Sequence, residues 1–223
     1  MMDWAPFWLT FKLAGCTTVL LLIAGIPLAY YLAFTKSKWR IPLQTLVSMP
    51  LVLPPSVLGF YLLIAFSPKF WFGAVIESWF DVRLAFSFTG LLIGSFIFSL
   101  PFMVNPLRTG FGSVHRSLIE AAQTLGKSRG EILYRVLLPN MRPAVVSASI
   151  MTFAHTVGEF GVVLMIGGSI PEKTKVASIA LFEAVEQMNY SMAHTYALVL
   201  VIFSWCVLFG IHVIESKNNA RGR

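Results

Sequence analysis

Long apolar runs alternate with short polar segments along the whole chain. An α-helix rises about 1.5 Å per residue, so about 20 apolar residues cross the hydrocarbon core of a bilayer. A first span is expected from about Leu13 to Phe34 and contains Pro27, tolerated as a kink where neighbours re-satisfy the freed carbonyl. A second span is expected from about Leu43 to Phe66, with Pro50, Pro54 and Pro55 inside it. The residue before a proline is pushed out of the α region. Either a helix starts with Pro54 and Pro55 in its first turn, or the segment is unwound inside the protein. The third span runs from about Phe86 to Val104, bent or ended by Pro101 and Pro106. The fourth runs from about Ala144 to Ile166 and the last from about Met192 to Ile214. Between them, residues 67 to 85 read as an interfacial loop anchored by Trp71, Phe72, Trp79 and Phe80. A second loop, Gly167 to Ser191, carries Glu172, Lys173, Lys175, Glu183 and Glu186. The expected fold is all-α: one polytopic membrane domain, residues 1–223, with five transmembrane helices. The N-terminal apolar run is too long for the core of a signal peptide and follows Asp3 rather than a basic cluster, so it reads as a retained span.

One polar island, about residues 112 to 143, interrupts this pattern. Ser117-Leu118-Ile119-Glu120 has the capping-box form that opens a helix, and Ser128-Arg129-Gly130-Glu131 repeats it. Gly126 suits the left-handed residue that closes a helix C-terminus, and Pro139 is expected to stop the second helix. Leu118, Ala122 and Leu125 share one helical face, and Ile132, Val136 and Leu137 another, with Lys127, Arg129 and Arg135 nearby. An amphipathic knuckle of this kind needs a groove for its apolar face.

Composition agrees with the membrane reading: 57% of residues are hydrophobic and 12% charged, against about 25% charged in a soluble domain. The net charge of +7 sits in short inter-span segments rather than on one soluble face, which argues for lipid headgroups and against nucleic acid. Twelve of the cations (Lys36, Lys38, Arg40, Arg108, Arg116, Lys127, Arg129, Arg135, Arg142, Lys217, Arg221, Arg223) lie in or next to the first connection, the island and the tail. Lys12, Lys69, Arg83, Lys173 and Lys175 lie on the opposite side. The positive-inside rule therefore puts the N-terminus outside, and the island and C-terminus in the cytoplasm. Cys16 and Cys206 fall in apolar runs and read as small buried hydrophobes.

Within the fourth span, Thr152, His155, Thr156 and Glu159 recur at offsets of three and four, on one helical face. An acidic residue there costs about 2.5 to 3.5 kcal/mol on insertion scales, so it should face the bundle interior or a water-filled route. Two readings stand: a lining of a translocation pathway or of a nearby subunit interface, or a Glu159–His155 hydrogen bond that fixes packing. His-x3-Glu is not a zinc-hydrolase pattern, and no metal is expected. No phosphate-binding loop or catalytic triad is present in a soluble portion, so ATP hydrolysis is not expected of this chain and no cofactor is called for. An intramembrane enzyme or receptor centred on His155 and Glu159 is the alternative from a different class.

The island resembles the cytoplasmic EAA loop of ABC importer permeases, E-A-A-x3-G-x9-I-x-L-P, through Glu120, Ala121, Ala122, Gly126, Val136 (for Ile), Leu138 and Pro139. Across nearly the whole chain, Pro50-Leu51-Val52-Leu53-Pro54-Pro55, Phe86-Ser87-Phe88-Thr89-Gly90, Gly158-Glu159-Phe160-Gly161 and Gly167-Gly168-Ser169-Ile170-Pro171 are similar to the molybdate branch of that family. Sulfate and thiosulfate permeases share the loop and the Gly-Glu-Phe-Gly segment but less of the rest. The resemblance implies a type I importer permease of a bacterial inner membrane. It implies a homodimer with two cytoplasmic ATP-binding subunits seated on the EAA loops. An extracytoplasmic binding protein would deliver molybdate or tungstate.

Overall fold

The structure, a computed structural model, describes residues 3–221. Arg223, counted above among the tail cations, lies outside the described residues. Helix α1 (Ala5–Phe34) runs through Pro27. Then come α2 (Arg40–Ser48) with a 3₁₀ turn at Met49–Leu51, α3 (Pro55–Phe66), α4 (Trp71–Phe80) and α5 (Phe88–Ser113). The island folds as α6 (Arg116–Thr124), α7 (Arg129–Ile132), a π turn (Leu133–Leu137) and α8 (Leu138–Asn140). The chain ends with α9 (Arg142–Val157), α10 (Gly161–Gly167), α11 (Ala177–Glu186) and α12 (Tyr190–Arg221). No strand occurs among the described residues.

Among the described residues three helices are long and apolar enough to cross a membrane unaided, and five crossings result if each of two broken helix pairs counts as one. The directions of packing support five. Gly25 packs on Met103 and Tyr30 on Phe111, so α1 and α5 run parallel. Ser99 meets Thr156 while Gly110 packs on Ala144, so α5 and α9 are antiparallel. Pro55 packs on Gly161 and Gly59 on Met165, so α3 follows α10. Phe7 stacks on Tyr196 and Phe11 packs on Phe203, so α12 follows α1. Successive crossings therefore alternate. The two ends of the chain emerge at opposite ends of the bundle, and α6 to α8 lie at the end where α1 finishes.

Two expected spans are not single rods. The second is broken at Val52-Leu53-Pro54, where α2 with its 3₁₀ turn meets α3 at 109°. Pro54 takes an extended backbone (φ −54°, ψ 132°) because it precedes Pro55, and Pro55 starts α3 where a missing amide leaves nothing unsatisfied. Helix start and local unwinding are both present. The fourth is broken at Gly158-Glu159-Phe160, with α9 and α10 at 57°. Pro101 and Pro106 do not end the third span: α5 continues to Ser113. The two expected loops contain helices: α4, whose Trp71, Trp79 and Phe80 are exposed, and α11, whose Ala177, Ile179 and Ala180 are buried. Half of the α5 span is buried against 11% for α12, so α5 is the central post of the bundle and α12 its periphery.

Candidate functional site

The polar knuckle is rooted in the bundle. Ala122, Ile132 and Leu137 are buried in one apolar cluster with Leu21 and Leu32 of α1, Leu107 and Phe111 of α5, and Met141. Ile119, Val136 and Leu138 pack half-buried against the same cluster. Leu118 and Leu125 do not share the buried face of Ala122. They are 43% and 77% exposed, and Tyr134 is 69% exposed, so these three apolar side chains are turned outward. The short helices have one apolar side turned into the bundle and another turned away from it.

Backbone caps hold the shape. Gly126 has φ +73°. Its amide donates to the Gln123 carbonyl at 2.9 Å, and the Lys127 amide donates to the Ala122 carbonyl at 3.1 Å, a Schellman closure of α6. Two residues on, the Glu131 amide donates to Ser128 Oγ while the Ser128 amide donates to Glu131 Oε2 at 3.1 Å, so the second capping box is complete. The Ser128 amide and the Lys127 ammonium together hold the Glu131 carboxyl below the ordinary glutamate range. The first box does not form. His115, in extended conformation, is the cap residue and Ser117 already lies inside the helix, bonded to His115 Nδ1 at 2.9 Å, while Glu120 pairs with Arg116 at 3.0 Å. Pro139 does not stop the chain's helical course. The Leu138 amide reaches back five residues to the Leu133 carbonyl. This wide turn relieves the clash of the Pro139 ring with the carbonyl of Arg135, and α8 follows directly. Ala121 is exposed at the tip beside Glu120.

The second group lies deep in the bundle. Thr152 and Glu159 are 0% and 4% exposed, inside the bundle of this one chain. Helix α9 ends at Val157, so Glu159 lies in the break and not on the helical face with Thr152 and His155. The expected Glu159–His155 bond is replaced by another: His155 Nδ1 meets Ser99 Oγ at 3.1 Å, and Ser99 Oγ meets Thr156 Oγ1 at 2.9 Å. The His155 ring stacks on Phe102 with centroids 3.8 Å apart. The Glu159 carbonyl accepts from Ser178 Oγ at 2.6 Å. Its carboxyl lies beside the Ser95 hydroxyl without a well-formed hydrogen bond, and the buried hydroxyls of Thr17, Ser95 and Thr152 are likewise unpaired. Ser95, Ser99, Thr17 and Ser178 join this group from other helices, and the only local sign of them in the sequence is the i, i+4 serine pair within α5. Among the described residues no three His, Cys, Asp or Glu side chains gather closely enough to hold a metal ion.

Comparison with known proteins places this arrangement. Two solved ABC transporters share the fold. The MetNI methionine transporter in an inward-facing conformation gives a TM-score of 0.72 at 16% identity, covering 94% of this chain and 93% of that one. A bacterial transporter that imports alginate gives 0.77 at 19%, covering 95% and 78%. In sequence, the molybdenum transport permease ModB of Azotobacter vinelandii is 45% identical over 94% of this chain and 93% of its own. The sulfate transport permease CysT of Salmonella typhimurium is 28% identical over 99% of this chain and 84% of its own. Residues 25–218 match the family described as binding-protein-dependent transport system inner membrane component. Broken helices around a long central post, a capped knuckle rooted at one end and this match over most of the length lead to one statement: the chain belongs to the family of inner membrane components of binding-protein-dependent transport systems.

Proposed function

We propose that this protein is the permease of an ATP-driven importer that passes molybdate, or the similarly shaped tungstate, across the inner membrane. The 45% identity to ModB over nearly the full length of both chains carries the choice of cargo. An extracytoplasmic binding protein hands over the oxyanion, two copies of the chain form the pathway, and each copy seats one cytoplasmic ATP-binding subunit that hydrolyses the nucleotide. The N-terminus lies outside and the C-terminus in the cytoplasm. Twelve of the 17 Lys and Arg fall in or next to the first connection, the knuckle and the tail, which supports this orientation.

The knuckle is the coupling element of the proposal. Its exposed Leu118, Leu125 and Tyr134 suit a cleft in a partner, and its buried Ala122, Ile132 and Leu137 suit transmission into α1 and α5. Reversing a two-state equilibrium from 1:99 to 99:1 takes about 5.5 kcal/mol, so the element must not yield when pushed. The closure at Gly126, the box at Ser128 and the Leu138-Pro139 turn supply that rigidity, with Glu120 and Ala121 completing the surface and Val136 packing against the bundle. Thr152, His155 and Glu159 belong to the pathway in this scheme, sealed in the closed bundle and uncovered when the α9–α10 break changes angle.

The test is uptake of labelled molybdate and sulfate by proteoliposomes holding the full chain with its ATPase and binding protein. Molybdate should be taken up in preference, and Glu120→Ala should lower uptake and ATP turnover together with helix content unchanged. Preference for sulfate would favour the second reading, which the CysT similarity supports. Full transport by Glu120→Ala would remove the coupling role.

A further inference from the structure

Where α2 begins and α5 ends, two adjoining cavities of about 440 and 570 Å³ share Ala33, Arg40 and Gly112 as walls. Arg40 and Arg108 line the smaller one, and no carboxylate does. Lys36, Arg116 and Glu120 line the larger, where Arg116 and Glu120 pair with each other. Among the described residues no carboxylate pairs with Lys36, Arg40 or Arg108.

Arg108 is held in place. Its Nη1 donates to Gln44 Oε1 at 3.1 Å across the α2–α5 seam, next to the Asn105–Ser48 contact at 3.4 Å. Its Nε is shut off from solvent and, among the described residues, no acceptor reaches it. A charged donor left without a partner is unfavourable, and a turn of the side chain toward the cavity that Arg108 lines gives it access to an acceptor there. The guanidinium fork matches two oxygens of a phosphate or similar oxyanion, which a lysine ammonium does not. The hydroxyls of Thr109 and Ser113 already donate to carbonyls of their own helix, so recognition falls to the two arginines. Beside them the larger cavity is walled by Phe34, Phe111 and Val114, which would tolerate an acyl chain.

We propose that this cleft binds a tetrahedral oxyanion group, gripped by Arg40 and Arg108 and approached past Lys36. The same chemistry is presented by the phosphodiester of an anionic lipid and by a free oxyanion in water. Occupancy ties α2 to α5 at the root of the knuckle, next to the Arg116–Glu120 pair.

The full chain is purified in a nonionic detergent, stripped of lipid and offered two probes separately: phosphatidylglycerol, counted by native mass spectrometry against phosphatidylcholine, and inorganic phosphate, followed by calorimetry. At least one probe should bind, and Arg108→Gln and Arg40→Gln should each weaken it about tenfold or more, as expected for loss of a charge-assisted hydrogen bond. Arg108→Lys should fall between, and Arg142→Gln, an exposed cation at the same end of the bundle, should leave binding unchanged. Arginine-dependent retention of phosphatidylglycerol alone identifies a lipid; arginine-dependent binding of phosphate identifies a free oxyanion. Among the described residues the Arg40 side chain makes no hydrogen bond or ion pair, so Arg40→Gln serves if Arg108→Gln does not fold. Failure of both probes to bind, or an equal loss in Arg142→Gln, overturns the proposal.

Discussion

Gly126 and Gly130 lie four residues apart in the knuckle, and the same substitution at each should act in opposite directions. A Cβ at either position would meet nothing within 4 Å, so sterics with neighbours drop out and only backbone conformation remains. Gly126 sits at φ +73°. An alanine there meets the left-handed penalty of about 1 to 2 kcal/mol. Gly130 is inside the first turn of α7 with no positive φ, and alanine there should stabilise by about 0.4 to 1 kcal/mol through the unfolded state. The two variants should therefore differ by about 2 kcal/mol in local stability. Hydrogen exchange of the full chain in detergent reads this directly. The amides of Gly126 and Lys127 close the Schellman turn. A loss of about 1 kcal/mol opens that turn about fivefold more often, so Gly126→Ala should accelerate their exchange about fivefold or more. Gly126→Asn should lie between glycine and alanine, because asparagine visits the left-handed region more readily. Gly130→Ala should slow exchange across α7. If both alanine variants shift exchange in the same direction, or if asparagine is no better than alanine, the backbone account of this turn is wrong.

Ser128→Ala removes the completed capping box and should cost about 1 kcal/mol of local stability, seen as faster exchange over residues 128 to 132. Because the folded-state pKa of Glu131 is depressed, its stabilising contribution is full above the ordinary glutamate value of about 4.3 and is lost as pH falls through the lower folded value. The opening frequency of α7, taken as its exchange divided by the intrinsic amide rate at each pH, should therefore rise only on acidification below about pH 4, and that rise should vanish in Glu131→Gln. A Cβ at Gly90 would stand 1.9 Å from the Leu84 carbonyl oxygen, which is backbone and cannot rotate away. Gly90→Ala should lower thermal stability by about 1 to 3 kcal/mol, whereas Gly15→Ala, with nothing within 4 Å, should be tolerated; equal melting temperatures for the two would contradict the packing. Ser99→Ala strips His155 Nδ1 of its partner and should destabilise by about 1 to 3 kcal/mol, while Ser204→Ala, which loses only a bond to its own helix, should not. Thermal unfolding in detergent separates the two.

Much of this architecture was legible in the order of residues because a bilayer imposes local requirements. An apolar stretch must be helical to satisfy its own amides, so the crossings follow from composition and length. The cap at Ser128 and the turn at Gly126 depend on residues within four positions of each other, and both formed as read. What misled the reading was competition between local signals. Ser117 matches the box pattern as well as Ser128 does, but His115 takes the cap position as the chain leaves α5, so Ser117 is already helical. Pro139 has the composition of a stop, yet a wider turn upstream accommodates it.

Sequence alone determined that this is a helical membrane protein of five crossings with a polar, capped knuckle between the third and the fourth, because those features answer to spacing, hydropathy and nearest neighbours. Only the tertiary structure decided that two crossings are broken, that α11 is buried against the bundle, and that Glu159 sits in a break beside Ser95 while His155 binds Ser99. Those outcomes rest on contacts such as Ser99 with Thr156 and Gly161 with Pro55, which join residues 57 and 106 positions apart, so no local pattern contains them.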